Sequence, residues 1–336
     1  MPRLQCESQS ALKTRAPLLA AASRYRPKQH SGYESNNPND KRCDREVRGL
    51  GIYLRERFPL PLVAMLAAAF ALGSVGLFRT DVNGGVPLEG WRTAAADWPT
   101  PILLLLLFVL YLALLLRYRV TDEWKDFTHD SAVYPDRPVQ RGAVSPRTLL
   151  TLGLVATVAE LSCVGFLGGW LGLVLYVPIV LYSLLTAVEF FARDWMSRHF
   201  TASFLIHEFL YLPFFAWVAA VLGAQFSAAT VAGVFALAFL FVSIEVARKF
   251  RPRFDPSGAM VSDTYGAVWG RSIALTVLVL LMLVSGMLAI LAGAAPLALC
   301  VSAVLVALLL VRRASDSWVA VIAAAHLPLL TLVVFL

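Results

Sequence analysis

Apolar runs of bilayer length recur along the whole chain, and no other feature limits its fold so strictly. A hydrocarbon core about 30 Å thick needs roughly 17–25 apolar residues of helix to cross it. Runs of this kind are read at 58–78, 99–118, 148–168, 170–191, 202–222, 226–245, 272–292, 295–311 and 316–335. The sequence is 58% hydrophobic and 15% charged, more apolar material than a soluble domain of 336 residues needs. Backbone polar groups in lipid must be satisfied within their own segment, so the runs are expected as helices. The expected fold class is all-α: a polytopic bundle of nine transmembrane helices over 55–336, preceded by a disordered basic tail over 1–54. The tightest expected joints are Gly223-Ala224-Gln225 and Gly293-Ala294-Ala295-Pro296.

The positive charges test this count. Of the 29 Lys and Arg residues, only Arg79 and Arg92 fall on the side reached after the first span. The rest lie in the tail or in the loops after spans two, four, six and eight, so that face is expected to be cytoplasmic. The N-terminus is then inside and Leu336 outside, in a bacterial-type inner or plasma membrane. Net charge +7 records topology and attraction to anionic head groups, and no nucleic-acid partner is expected. The tail lacks the apolar core of a signal peptide; it is read as disordered, or as an extension upstream of a start near Val47. Cys6, Cys43, Cys163 and Cys300 are scattered, without metal or redox spacing.

Chemistry concentrates just beyond the second span, in RYRVTDEWKDFTHDSAVYPDRPVQRG from Arg117 to Gly142. Asp122, Asp126 and Asp130 are spaced by four, so on a helix they drift by only about 40° per step and share a face. Charges beyond a membrane helix are ordinarily a solvated collar. Three stacked carboxylates repel one another, however, unless a cation lies between them. Mg²⁺ suits that place, since it takes carboxylate, phosphate and water oxygens together. Lys125, Arg137 and Arg141 alongside call for an anionic substrate, and Pro135-Asp136-Arg137-Pro138 reads as a rigid turn.

A second acid-and-base junction follows the sixth span: Glu245, Arg248, Lys249, Arg251 and Arg253, then Asp255 and Ser262-Asp263-Thr264-Tyr265-Gly266. Two equivalent junctions suggest a pseudo-repeat whose cytoplasmic edges face one cavity, with a short interfacial helix between Pro256 and Trp269 as a lid. Inside the spans, Glu160 is either functional or a hydrogen-bonded packing residue. Gly165, Gly168, Gly169 and Gly172 read as close helix packing. Glu189 and Arg193 read as an i, i+4 ion pair. His207-Glu208 could orient an acceptor or move a proton, or simply join two helices, and His326 reads as core packing.

These residues resemble the UbiA superfamily of intramembrane prenyltransferases, over roughly residues 55–336. The family's first motif, Asn/Asp-xxx-Asp-xxx-Asp followed by Arg-Pro and Gly, is similar to Asp122, Asp126, Asp130, Arg137-Pro138 and Gly142. Its second, Asp-x-Glu-Gly-Asp-Arg-Lys, is met here by Glu245 and Arg248-Lys249, while Ser243 and Ala247 stand where aspartates would be. The chain therefore looks like a divergent subgroup. The resemblance implies nine helices and Mg²⁺-dependent transfer of an isoprenoid chain from a prenyl diphosphate to a small or lipidic acceptor, releasing pyrophosphate. It implies Asp122, Asp126, Asp130 and Glu245 as metal ligands and catalytic residues. Lys125, Arg137, Arg248 and Lys249 would contact diphosphate, with Arg119, Arg141, Asp263 and Tyr265 nearby, and Tyr182, Glu189 and His207 would line the acceptor region. Two other readings stay open: a transporter or permease for a divalent cation or lipid-linked anion, and a family member that binds a prenyl diphosphate without turning it over.

Overall fold

The computed structural model describes residues 38–79, 98–311 and 316–334. The described part opens with α1 (Pro38–Arg57), α2 (Leu60–Phe78) and α3 (Thr100–Lys125), the last continued by the short α4 (Phe127–Val133). Then come α5 (Pro146–Ala187), a 3-10 turn at Glu189–Phe191, α6 (Arg193–Arg198), α7 (Phe200–Glu208) and α8 (Tyr211–Val221). After α9 (Ala228–Arg248), strands β1 (Arg253–Phe254) and β2 (Met260–Val261) and the single turn α10 (Tyr265–Val268) lead into α11 (Arg271–Leu291), α12 (Leu297–Val311) and α13 (Asp316–Val334). Among the described residues, six helical stretches are long and apolar enough to cross a membrane, with two shorter apolar helices at Leu297–Leu310 and Trp318–Leu332. The protein is an all-α polytopic membrane protein apart from the two-residue antiparallel ribbon β1–β2.

Local chemistry sets the helix ends. Pro59 and Pro99 precede α2 and α3, and each helix carries a second proline in its first turn, where a missing N–H costs nothing. Ser145 and Ser227 cap α5 and α9 by accepting the amides of Thr148 and Thr230, each at 3.1 Å. Gly223 and Gly293 take positive φ at the two tight joints, which lie where the sequence places them.

The bundle core gathers Phe70, Tyr111, Tyr176, Phe214, Phe215 and Trp217 from α2, α3, α5 and α8. A second cluster joins Val246, Phe250 and Tyr265 to Leu278 and Met282 of α11. Outward side chains such as Leu154, Val158 and Trp170 are exposed and apolar, as a lipid-facing wall requires.

Four features depart from or refine the sequence reading. The tail is not structureless to residue 54: α1 is a helix packed on the loop after α3, through Tyr53 against Val120, Val139, Val144 and Leu149. Its burial depends on a partner surface distant in sequence, which composition cannot register. Residues 1–37, the loop 80–97 with Trp91 and Arg92 that the sequence expects to be external, 312–315 and 335–336 lie outside the described residues. The 42-residue α5 is folded back on itself at Gly169 (φ 60°, ψ −158°). A straight helix would hold residues 160 and 176 about 24 Å apart, yet the Tyr176 hydroxyl donates to Glu160 Oε1 at 2.8 Å. The third and fourth runs are thus two arms of a hairpin, as the sequence expects.

The fifth run is split. Pro213 has no N–H for the Phe209 carbonyl, and the backbone tightens around it, with Leu212 N–H donating to Phe209 O at 3.1 Å. The segment between Pro256 and Trp269 is not a lid helix. The Asp255 carboxylate accepts from Ser257 Oγ (2.6 Å) and the amides of Ser257 and Ala259 (2.8 and 2.9 Å), building a turn that closes the ribbon. Only Tyr265–Val268 is helical there.

Candidate active site

The last turns of α3 and α9 run past the apolar zone, and both acid junctions sit on these polar extensions. Along the first, backbone bonds link the three aspartates: Asp126 N–H to Asp122 O (2.9 Å), Asp130 N–H to Asp126 O (2.8 Å) and Tyr134 N–H to Asp130 O (2.8 Å). The helical ladder persists through Asp126, so the spacing of four does place the carboxylates along one side.

Their surroundings differ. Asp122 and Asp126 are half-buried, and among the described residues neither side chain has a hydrogen-bond or ion-pair partner. Burial raises the Asp126 carboxyl pKa above its ordinary value, Asp122 and Asp130 add to that, and Lys125 and Lys249 oppose it. Asp130 is buried and takes a very short ion pair from Arg137 and a 3.3 Å contact from His129.

The second junction comes to the same place. Arg248 and Lys249 both lie against Glu245, at 2.8 and 2.9 Å. Arg248 is also within electrostatic reach of Asp122, and Lys249 of Asp126. Ser243 bonds its own helix at Leu240 O (2.7 Å), and Ala247 is packed in the core; the positions lacking acids are sealed rather than open. Glu208 enters from the break after α7, within reach of Glu245, Lys249, Arg248 and Asp122, and its Oε2 is buried without a hydrogen-bond partner among the described residues. Sequence reading couples Glu208 to His207, as a pair that orients an acceptor, moves a proton or joins two helices, and not to the acid junctions, although a carboxylate inside a membrane helix is a signal in itself.

The remaining expected residues divide into flanks. On one side Lys125 reaches Glu189 (3.2 Å) and His207 Nε2 (3.5 Å), while Arg193 pairs with Glu189 (3.1 Å). The Tyr182 hydroxyl donates to Ile206 O at 2.7 Å, and its ring packs on Phe190 and Phe209. On the other side Tyr134 donates to Asp263 Oδ2 at 2.7 Å, Arg253 reaches the same oxygen at 3.4 Å, and the Arg137 guanidinium stacks 3.7 Å over the Tyr134 ring. Burial and the bond to Asp263 push the Tyr134 phenol up to about 12. Tyr134 thereby ties the loop after α4 to the loop after α9. Tyr265 is buried among Phe200, Phe204 and Trp269 beneath the second loop. Arg119 and Arg141 are not at the mouth: they bond Glu123 (2.6 Å) and Glu56 (2.8 Å) on the side facing α1.

A hard divalent cation fits the donors that remain. Among the described residues no three His, Cys, Asp or Glu side chains close into a metal cage. Asp122 and Asp126 instead offer unpaired oxygens, and the equally unpartnered Glu208 lies within electrostatic reach of Asp122. Mg²⁺ shared between one or two carboxylates, water and substrate phosphate takes that form.

No curated protein matches this chain. A solved structure described as concerning digeranylgeranylglyceryl phosphate synthase in membranes matches at 14% identity and a TM-score of 0.48, covering 85% of this chain and 99% of that one. The UbiA prenyltransferase family matches residues 90–319, which span both acid junctions. The chain belongs to the UbiA prenyltransferase family.

Proposed function

We propose that the protein moves an isoprenoid chain from a prenyl diphosphate to a small or lipidic acceptor at the cytoplasmic mouth of a nine-span bundle over residues 55–336, releasing pyrophosphate. One observation carries this reading: unpaired Asp122 and Asp126 from α3 meet Glu208, Arg248 and Lys249 from α7 and α9 at one end of an apolar bundle. Asp122 and Asp126 would hold Mg²⁺, with Glu208 supplying acidity that Ser243 and Ala247 do not. Bound Mg²⁺ would neutralise charge growing on the departing diphosphate oxygens. Asp130 and Glu245, already paired, orient Arg137 and the Arg248–Lys249 pair toward the diphosphate, and Lys125 and His207 lie on the flank where an acceptor would enter. An apolar cavity of about 550 Å³ between α8 and α9, lined by Phe209, Pro213, Ala220, Gly223, Val234 and Phe235, suits a hydrocarbon chain.

The test is pyrophosphate release from prenyl diphosphates of graded length, with and without Mg²⁺, in purified protein. Asp126→Ala is expected to lower turnover by about 100-fold or more, as loss of a charge-stabilising group does, with the melting temperature preserved. Turnover unchanged by Asp126→Ala overturns the assignment. Tight donor binding without any pyrophosphate release favours the binding-only reading, to which the committed ion pairs of Asp130 and Glu245 lend support.

A further inference from the structure

We infer that α1 is a working part of this site and that Glu123 is its positioning residue. The inference rests on the metal reading of Asp122 and Asp126 given above.

Glu123 is 2% exposed, at the polar end of α3. Its Oε1 accepts from Arg57 Nε at the end of α1 (2.8 Å) and from Arg119 Nη2 one turn earlier (2.6 Å). A carboxylate so buried is tolerable only with such partners, and removing one leaves a charge without compensation. The geometry then fixes rotation. With about 100° per residue, Asp122 and Asp126 stand about 100° and 60° from Glu123 around the helix, on the same flank. Anchoring Glu123 against α1 therefore turns both unpaired aspartates toward the mouth. They are the oxygens a cation would need.

The anchor is built along α1 from Glu46 to Arg57. Glu46 accepts from Ser145 (3.1 Å) and, very closely, from Thr148 at the start of α5. Gly49 lies so near the Ala143 carbonyl that an added Cβ would sit 2.1 Å from its oxygen. Glu56 holds Arg141 at 2.8 Å. Within the knot, Tyr53 Oη, Arg119 Nε and Glu123 Oε2 are buried without partners among the described residues. The first acidic motif is thus clamped between α1 and α5. Partners that orient metal ligands in this way commonly govern affinity by about 10–100-fold.

The experiment uses the full chain in detergent with Glu123→Gln and Arg57→Met, and Arg57→Lys as the conservative variant. Amide hydrogen exchange over residues 122–134 and the Mg²⁺ concentration for half-maximal turnover are both measured. Faster exchange in that segment is expected for the first two variants. The Mg²⁺ requirement is expected to rise about tenfold, more than kcat falls, and Arg57→Lys should recover most of both effects. A lowered melting temperature with an unchanged Mg²⁺ requirement would make α1 a stabilising clip and overturn the proposal. Unchanged exchange over 122–134 overturns it too, even if the wild-type protein shows no Mg²⁺-dependent turnover, a result that by itself sinks the metal reading instead.

Discussion

Glu160 shows what decides the role of a single charged residue in an apolar bundle. Arg117 grips it with two bonds, at 2.6 and 3.0 Å, while Tyr176 adds a third and Ser183 takes the remaining arm of Arg117 at 2.6 Å. Every polar group is answered, so of the two readings open in the sequence, structural packing is the one met. Glu160→Leu should lower stability by about 3–5 kcal/mol by stranding Arg117. Arg117→Leu combined with Glu160→Leu should recover part of that, in thermal melts of detergent-solubilised protein. If the double variant is no better than the single ones, the pair is not the source of the cost. Asp255 gives a pH-dependent counterpart outside the membrane. Its bond from Ser257 Oγ, with the amides of Ala259 and Ser257, holds its carboxyl below the ordinary value. A depressed acid stabilises the ribbon above the unfolded Asp value of about 3.9 and loses that contribution as pH falls through the folded value. Exchange protection over 253–261 should therefore fall in that acid window, and Asp255→Asn should abolish the pH dependence.

Among elements, the hairpin within α5 hangs on Gly169. Nothing lies within 4 Å of where its Cβ would be, so the demand is conformational, not steric. Its φ of 60° with ψ of −158° is a region for glycine alone. Gly169→Ala should cost about 1–3 kcal/mol, read as a lower melting temperature, with the Mg²⁺ requirement unmoved because the site lies at the other end of the arms. A stability equal to wild type would place the reversal elsewhere. The hairpin was legible because two apolar runs met at a glycine cluster. The split between α7 and α8 was less so, since one proline in an apolar run signals a break without saying which polar residue the break will expose. Here it is Glu208. Helix α1 was not legible, because apolar residues such as Leu50, Tyr53 and Leu54 stand among many charges and the surface that buries them comes from segments far along the chain.

At the scale of the whole molecule, the acids and bases of both junctions collect at one end of the bundle, and the apolar wall belongs to lipid. The charge asymmetry predicts that end to face the cytoplasm. A reporter fused to Leu336 should be accessible only from outside the cell, and one at Met1 only from inside. Both reporters on the same side would break the nine-span count. The convergence of Asp126 with Lys249 is a tertiary fact, yet its two halves could be seen beforehand as repeated junctions.

Sequence by itself determined the membrane class, the helical runs, the orientation-setting charge bias and the first acidic motif. These depend on composition and spacing within one segment, which burial in lipid converts directly into helices. Only the tertiary structure decided which acids are free and which are paired: Asp122 and Asp126 open, Asp130 and Glu245 held by arginine, Glu123 locked to α1, Glu208 drawn in from another helix. A carboxylate's role is set by whatever stands within a few ångströms of it, and in this bundle those neighbours come from segments that are far apart along the chain.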